Sequence, residues 1–215
     1  MIDLADRLKI SRFHFIGHDW GARTGYALAA LFPRRLKSLL SISVPFEPGK
    51  ADPPAFPQAR AFWYQWLLCT TPGEKKFRND PVAFGKAQWD AWSPEGWYDP
   101  HDLQEAAKSW QGKDFMDVVL HGYRSRWGHA PLDPRYATLQ SRFESTRTLD
   151  TPTLLLHGQE DHCELAATTE GAERYFTSGY RRILLEGVGH FPQRENPGLT
   201  ASLILEHLRQ HAGTK

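Results

Sequence analysis

The run Phe15-Ile16-Gly17-His18-Asp19-Trp20-Gly21-Ala22 limits what this chain can fold into more than any other segment. An apolar strand leads into Gly-x-Asp-x-Gly, and an Ala- and Leu-rich helix follows at once. So sharp a turn from strand to helix forces its middle residue into a strained backbone conformation, and the flanking residues must be small for the chain to pass. Gly17 and Gly21 are expected to meet that need. The exposed residue is Asp19, and no Gly-x-Ser-x-Gly occurs in the chain, which argues against an ordinary serine esterase. At a helix start, free N–H groups and the dipole favour an anion. Asp19 should therefore stay ionised at neutral pH and be able to attack an electrophilic carbon, giving an ester. The plainer alternative is that Asp19 only caps the helix, although a cap does not require glycine two residues away on both sides.

Four short apolar runs read as buried parallel strands: Arg12 to Gly17, Ser38 to Ser43, Thr153 to Gly158 and Arg181 to Gly187. Helical segments separate them. One runs from the elbow to Pro33. Another is capped by Asn196 with Pro197 at its first position, and its apolar face comprises Leu199, Leu203, Ile204 and Leu208. The pattern predicts an α/β fold, a mostly parallel sheet with helices on both faces. Residues 47–148 break it. Helices are expected around Phe56–Cys69, Asp80–Trp92, Asp102–Trp110 and Asp114–Tyr123, divided by Thr71-Pro72-Gly73 and Pro94-Glu95-Gly96. The chain therefore divides into a first core segment, 1–46, a helical insertion, 47–148, and a second core segment, 149–215. Seven of the eight tryptophans fall in the insertion, either as a core of its own or as a pocket lining.

Charge narrows the partners. With 26 basic and 25 acidic residues the net charge is +1, which gives no electrostatic case for nucleic acid or an anionic membrane. No apolar run reaches the ~20 residues of a membrane span, and the first twenty residues hold no signal-peptide core. Cys69 and Cys163 are the only cysteines, so no disulfide framework is implied. The expectation is a soluble, cytoplasmic protein.

Two further loops can converge on Asp19. His157-Gly158-Gln159-Glu160-Asp161 follows the third strand and places Asp161 at its carboxyl end. Glu186-Gly187-Val188-Gly189-His190 does the same for His190 after the fourth. Loops at the carboxyl ends of strands in an open α/β sheet share one face. The order nucleophile, acid, histidine is that of the α/β-hydrolases. The cluster His157, Glu160, Asp161, His162, Cys163 is too tightly spaced for a usual metal site, and no second cluster completes it. Gly17, Gly21 and Gly25, spaced by four, match neither a dinucleotide fingerprint nor a phosphate-binding loop.

The segments GHDWGAR, HGQED and GVGHFPQRENP resemble the α/β-hydrolase superfamily, specifically its epoxide hydrolase and haloalkane dehalogenase branch with an aspartate nucleophile. The resemblance covers essentially the whole chain. It implies that the four strands are the last four of that fold and that the insertion is a helical cap. It also implies two cap tyrosines as proton donors. Phe62-Trp63-Tyr64-Gln65 resembles the early-cap tyrosine-glutamine motif, and Gly122-Tyr123-Arg124 the later tyrosine-arginine motif. Tyr64 and Tyr123 are the candidate donors and Gln65 a candidate substrate contact, although amphipathic core tyrosines would look the same.

Epoxide hydrolysis to a diol through an aspartyl ester is the expected activity. The substrate is a small apolar or aromatic molecule, water is the second reactant, and no metal or cofactor is needed. Release of halide from a haloalkane or haloacid is the alternative. Trp20 stands where such enzymes hold the halide, and its N–H is also the candidate oxyanion donor. Fluoroacetate dehalogenases resemble this elbow but carry arginine directly after the nucleophile and again three residues on. Only Arg23 matches, as a candidate substrate contact or as the partner of a buried acid. No His-Gly-x-Pro motif, which in the family supplies part of the oxyanion hole, occurs in this chain. The resemblance thus implies an N-terminally truncated member with its first strand at an open sheet edge, and an inactive fragment as a third reading.

Overall fold

The computed structural model describes residues 1–49, 53–112 and 114–213. Its centre is a parallel sheet in the order β1-β2-β3-β4, formed by Phe13–His18, Leu36–Ile42, Thr153–Gly158 and Tyr180–Leu185. These are the four expected strands, with ends moved by a residue or two. All six residues of β3 are buried, whereas β1 pairs, among the described residues, with β2 alone and leaves Ile16 42 % exposed. An inner strand covered on both faces reads as a continuous apolar run, and an edge strand need not.

Helix α1 (Ile2–Arg7) precedes β1, and α2 (Trp20–Leu31) connects β1 to β2. Strand alternation sends β2 into two cores. Leu39 packs with Ala22, Tyr26 and Ala29 of α2, joined by Leu36 across a register shift at the start of the β1–β2 pairing, while Leu40 and Ile42 join Leu154 and Leu156 on the opposite face. That second face is covered by α11 (Pro197–Gln210), whose start is capped by Asn196 as expected. The buried stripe of α11 departs from the expected one. Thr200, Leu203, Ile204 and His207 face inward, and Leu199 is exposed at 44 %.

Between β2 and β3 lie α3 (Phe56–Ala61), α4 (Trp63–Leu68), α5 (Thr71–Asn79), α6 (Pro81–Trp92), α7 (Pro100–Trp110), α8 (Phe115–Arg126) and α9 (Ala137–Ser145). The expected helix over Phe56–Cys69 is two helices, because the chain bends at Phe62, whose ring is buried. Thr71-Pro72-Gly73 is a helix start as well as a divider. The Thr70 hydroxyl accepts from Gly73 N–H, and proline occupies the first turn of α5. Helix α10 (Pro192–Glu195) follows β4. Among the described residues, no helix is long and apolar enough to cross a membrane.

Candidate active site

The turn between β1 and α2 is strained at one residue. Asp19 has φ 51° and ψ −117°, a left-handed conformation that costs a non-glycine residue on the order of 1–3 kcal/mol. Gly17 makes the turn possible: a Cβ there would lie 2.3 Å from the Gly21 carbonyl carbon and oxygen and 2.7 Å from Ala22 N. A Cβ on Gly21 would meet nothing within 4 Å, so only one of the two expected glycines is required by space. Although Asp19 holds the N-cap position of α2, its side chain makes no capping hydrogen bond. The carboxylate faces His190 instead, with Oδ2 3.8 Å from Nε2.

His190 is held from several sides. Its N–H donates to Ser93 Oγ at 2.9 Å and lies 3.3 Å from Trp92 O, and its carbonyl accepts from His18 Nε2 at 2.7 Å and Ser43 Oγ at 2.9 Å. Ser93, just after α6, donates its hydroxyl to Glu195, which also accepts from the N–H groups of Gly189 and Phe191. Trp92 O additionally accepts from His162 N–H. The end of α6 therefore clamps both loops that leave the sheet. Gly189 permits the approach, since a Cβ there would lie 2.5 Å from Ser93 Cα.

The imidazole is anchored through Nδ1 to Asp161 Oδ2 at 2.8 Å, and Nε2 has no hydrogen-bond partner among the described residues. Asp161 Oδ1 accepts from the N–H groups of Cys163 and Glu164 at 2.8 and 2.9 Å. Burial would raise the Asp161 pKa, but His190 and His157 outweigh it and hold it at about 2. Burial likewise opposes charge on His190. Asp161, Cys163 and Asp19 outweigh it and move its pKa well above the ordinary value. Asp19 is lowered, because His190, His18 and Arg23 overcome the burial that would raise it.

Tyr64 and Tyr123 come together from α4 and α8, their rings 5.4 Å apart and nearly perpendicular. Both line a cavity of about 10 Å³ together with Asp19, Trp20, Cys163 and His190, a volume that fits one water at most. The Tyr64 hydroxyl accepts from Gln65 Nε2 at 2.9 Å and lies 3.5 Å from Cys163 Sγ. Burial raises the pKa of both tyrosines, so both hydroxyls keep their protons at neutral pH. Gln65 lines the cavity, but its amide is taken up by Tyr64 and by Trp127 Nε1 at 3.0 Å. The Trp20 ring is 43 % exposed and meets Tyr123 edge-on at 5.8 Å.

Arg23 is the partner of a buried acid, one of its two expected roles, within a polar cluster whose other members the sequence did not name. Its guanidinium contacts Glu47 Oε2 at 2.7 Å and Glu164 Oε2 at 3.4 Å, and Arg126 shares Glu47 at 3.1 Å. Burial, reinforced by Glu47, pushes the Glu164 pKa up to about 8 against the pull of Arg23. His18, Ser43, Ser93, Glu195 and His157 also escaped notice as supports of the site. His18, Ser43 and Ser93 reach His190 from remote segments, which no local pattern announces, whereas His157 and Glu195 also bond within their own turns.

The family model described as alpha/beta hydrolase fold matches residues 3–197, and the chain belongs to that family. It is an enzyme of the hydrolase type, and it is similar to epoxide hydrolases. It is 24 % identical over 233 residues to epoxide hydrolase A of Mycobacterium tuberculosis, covering 97 % of this chain and 72 % of that protein. A fluoroacetate dehalogenase from Burkholderia is 32 % identical over 127 residues, covering 56 % of this chain and 40 % of that one. The crystal structure of a candidate epoxide hydrolase from Klebsiella pneumoniae superposes with a TM-score of 0.87 at 28 % identity, over 97 % of this chain and 70 % of that one.

Proposed function

We propose that the chain carries the active site of an epoxide hydrolase working through an aspartyl ester. The observation that carries this reading is a single cavity lined by an anionic carboxylate, an imidazole nitrogen without a hydrogen-bond partner among the described residues and two protonated tyrosine hydroxyls. Asp19 attacks one epoxide carbon, the ring C–O bond breaks, and Tyr64 or Tyr123 donates a proton to the departing oxygen. The other tyrosine steadies that oxygen by hydrogen bonding. The imidazolium of the resting site returns its proton to the tyrosinate. Water then attacks the ester carbonyl and gives a proton to the now neutral His190 Nε2. The adduct collapses with its remaining hydroxyl proton passing to the departing alkoxide, which releases a diol and restores the Asp19 carboxylate and the imidazolium.

Charge accounts for the order of events. In the resting site His190 lies between Asp19 and Asp161, which favours imidazolium. Ester formation removes the Asp19 charge, lowers the His190 pKa and so prepares it as a base for the second step. Asp161 holds the ring in register and balances the imidazolium that then forms. Helices α3 to α9 serve as the cap in this scheme, and Trp20 N–H is the candidate oxyanion donor.

The substrate should be uncharged and apolar or aromatic. Phe62, Trp66, Trp92 and Trp127 pack around Tyr64 and Tyr123. Arg23 is engaged by Glu47 and Glu164 rather than left to receive a carboxylate, which speaks against a haloacid. Product analysis separates the remaining rivals. Diol from an aryl epoxide, with no bromide from a bromoalkane, is the expected result; bromide without diol would replace this reading with the dehalogenase.

A further inference from the structure

Asp161 receives one donor for which the scheme above has no use. His157, at the end of β3, is fully buried, and its Nε2 lies 2.7 Å from the Glu164 carbonyl oxygen and 3.3 Å from Asp161 Oδ2. A carbonyl oxygen only accepts, so Nε2 must carry the proton. That N–H is directed at the carbonyl, and Asp161 Oδ2 lies beside it at ion-pair distance. Nδ1 is left as a bare acceptor, and it has no hydrogen-bond partner among the described residues.

We propose that His157 is a positioning residue for the Asp161–His190 pair, its Nε2–H standing beside Asp161 Oδ2 and fixing the rotation of the carboxylate. Among the described residues, the carboxylate of Asp161 finds its partners other than His190 at the end of β3 and in the turn that follows. Cys163 N–H and Glu164 N–H hold Oδ1, and Glu164 O holds the His157 ring that braces Oδ2. The strand end and the turn are thus locked together around one carboxylate. Removal of the ring N–H would leave Oδ2 with His190 alone. The carboxylate would become more basic, its aim at Nδ1 looser, and the imidazole a poorer base for ester hydrolysis. The titratable groups around Asp161 are His157 and His190, then Cys163 and Glu164 on its own turn and Asp19 beyond His190.

The inference rests on the proposed role of His190, so its test has one readout that needs no turnover. His157→Phe keeps a ring and loses the donor, His157→Gln can place an amide N–H where Nε2 stood, and His157→Asn is too short to reach. With an aryl epoxide, His157→Phe should lower kcat about 10- to 100-fold. KM should fall with it as ester accumulates, the acid limb of the pH profile should move upward, and His157→Gln should recover most of the loss. Independently, the downfield proton resonance of His190 Nδ1–H should shift or broaden in His157→Phe and in His157→Asn but persist in His157→Gln. A folded His157→Phe with wild-type kcat, pH profile and resonance overturns the proposal. Should that variant not fold, an unchanged resonance in His157→Asn overturns it equally. Absence of diol from the wild type would instead count against the epoxide reading, and the resonance would still decide the role of His157.

Discussion

Gly17→Ala should be among the most damaging single-methyl additions in this chain, and Gly21→Ala nearly harmless. The Cβ of alanine at 17 would sit 2.3 Å from the Gly21 carbonyl carbon and oxygen and 2.7 Å from Ala22 N. Ordinary contact begins near 3.4 Å, so all three approaches are short by roughly 0.7–1.1 Å, and all three atoms are backbone. The first turn of α2 cannot retreat, because Ala22 is fully buried against β2. Overpacking of this kind costs about 1–3 kcal/mol, occasionally more, and an immovable neighbour places this case at the upper end. For a chain of this size that corresponds to a drop of roughly 6–12 °C in Tm. Alanine at 21 meets open space inside a helix, where it should be neutral or stabilising by up to ~1 kcal/mol. Thermal and urea unfolding followed by circular dichroism compares the two variants directly. Equal destabilisation of both, or a Gly17→Ala variant as stable as the wild type, would refute the steric account of the elbow.

The tyrosine pair and the buried glutamate make two further tests. Tyr64→Phe and Tyr123→Phe should each lower the rate of ester formation from an epoxide by about 10- to 100-fold, and the double variant by more than either, within the ~10²- to 10⁴-fold reach of general acids; pre-steady-state tryptophan fluorescence reads this step, and full activity in the double variant would exclude both as donors. Glu164 binds its proton more tightly in the folded chain, with a pKa of about 8 against an unfolded value near 4.5, so ionising it destabilises the fold as pH rises from about 4.5 to 8. A shift of that size corresponds to about 5 kcal/mol. Glu164→Gln should therefore gain stability relative to wild type at pH 8.5 but not at pH 4.5, and a pH-independent difference in urea midpoint would contradict the buried, protonated carboxyl.

Local chain geometry explains which parts of the site could be read from sequence. Asp19, Asp161 and His190 each follow a short apolar run directly, and the carboxyl ends of parallel strands share a face, so their convergence needed no knowledge of side-chain packing. Tyr64 and Tyr123 lie on helices with no fixed relation to the sheet. They were legible only through resemblance to known motifs. A buried acid was one expected partner of Arg23, but Glu47, Glu164 and Arg126 could not be named, because ion pairs between remote segments carry no periodicity. The same holds for Ser93, whose bonds to His190 and Glu195 exist only once α6 is docked. At the helix level, the buried Phe62 ring interrupts a segment whose composition reads as continuous helix. The stripe on α11 rotated because Thr200 and His207 take buried places, with the Thr200 hydroxyl bonded to Pro192 O.

Intact mass of His190→Ala after incubation with an aryl epoxide tests the central claim most directly. Without its base the variant should form the ester and fail to hydrolyse it, so the protein should gain the full mass of the epoxide, located on Asp19 by peptide mapping and absent in His190→Ala combined with Asp19→Ala. A folded His190→Ala variant that gains no mass, or gains it at a residue other than Asp19, would contradict the account.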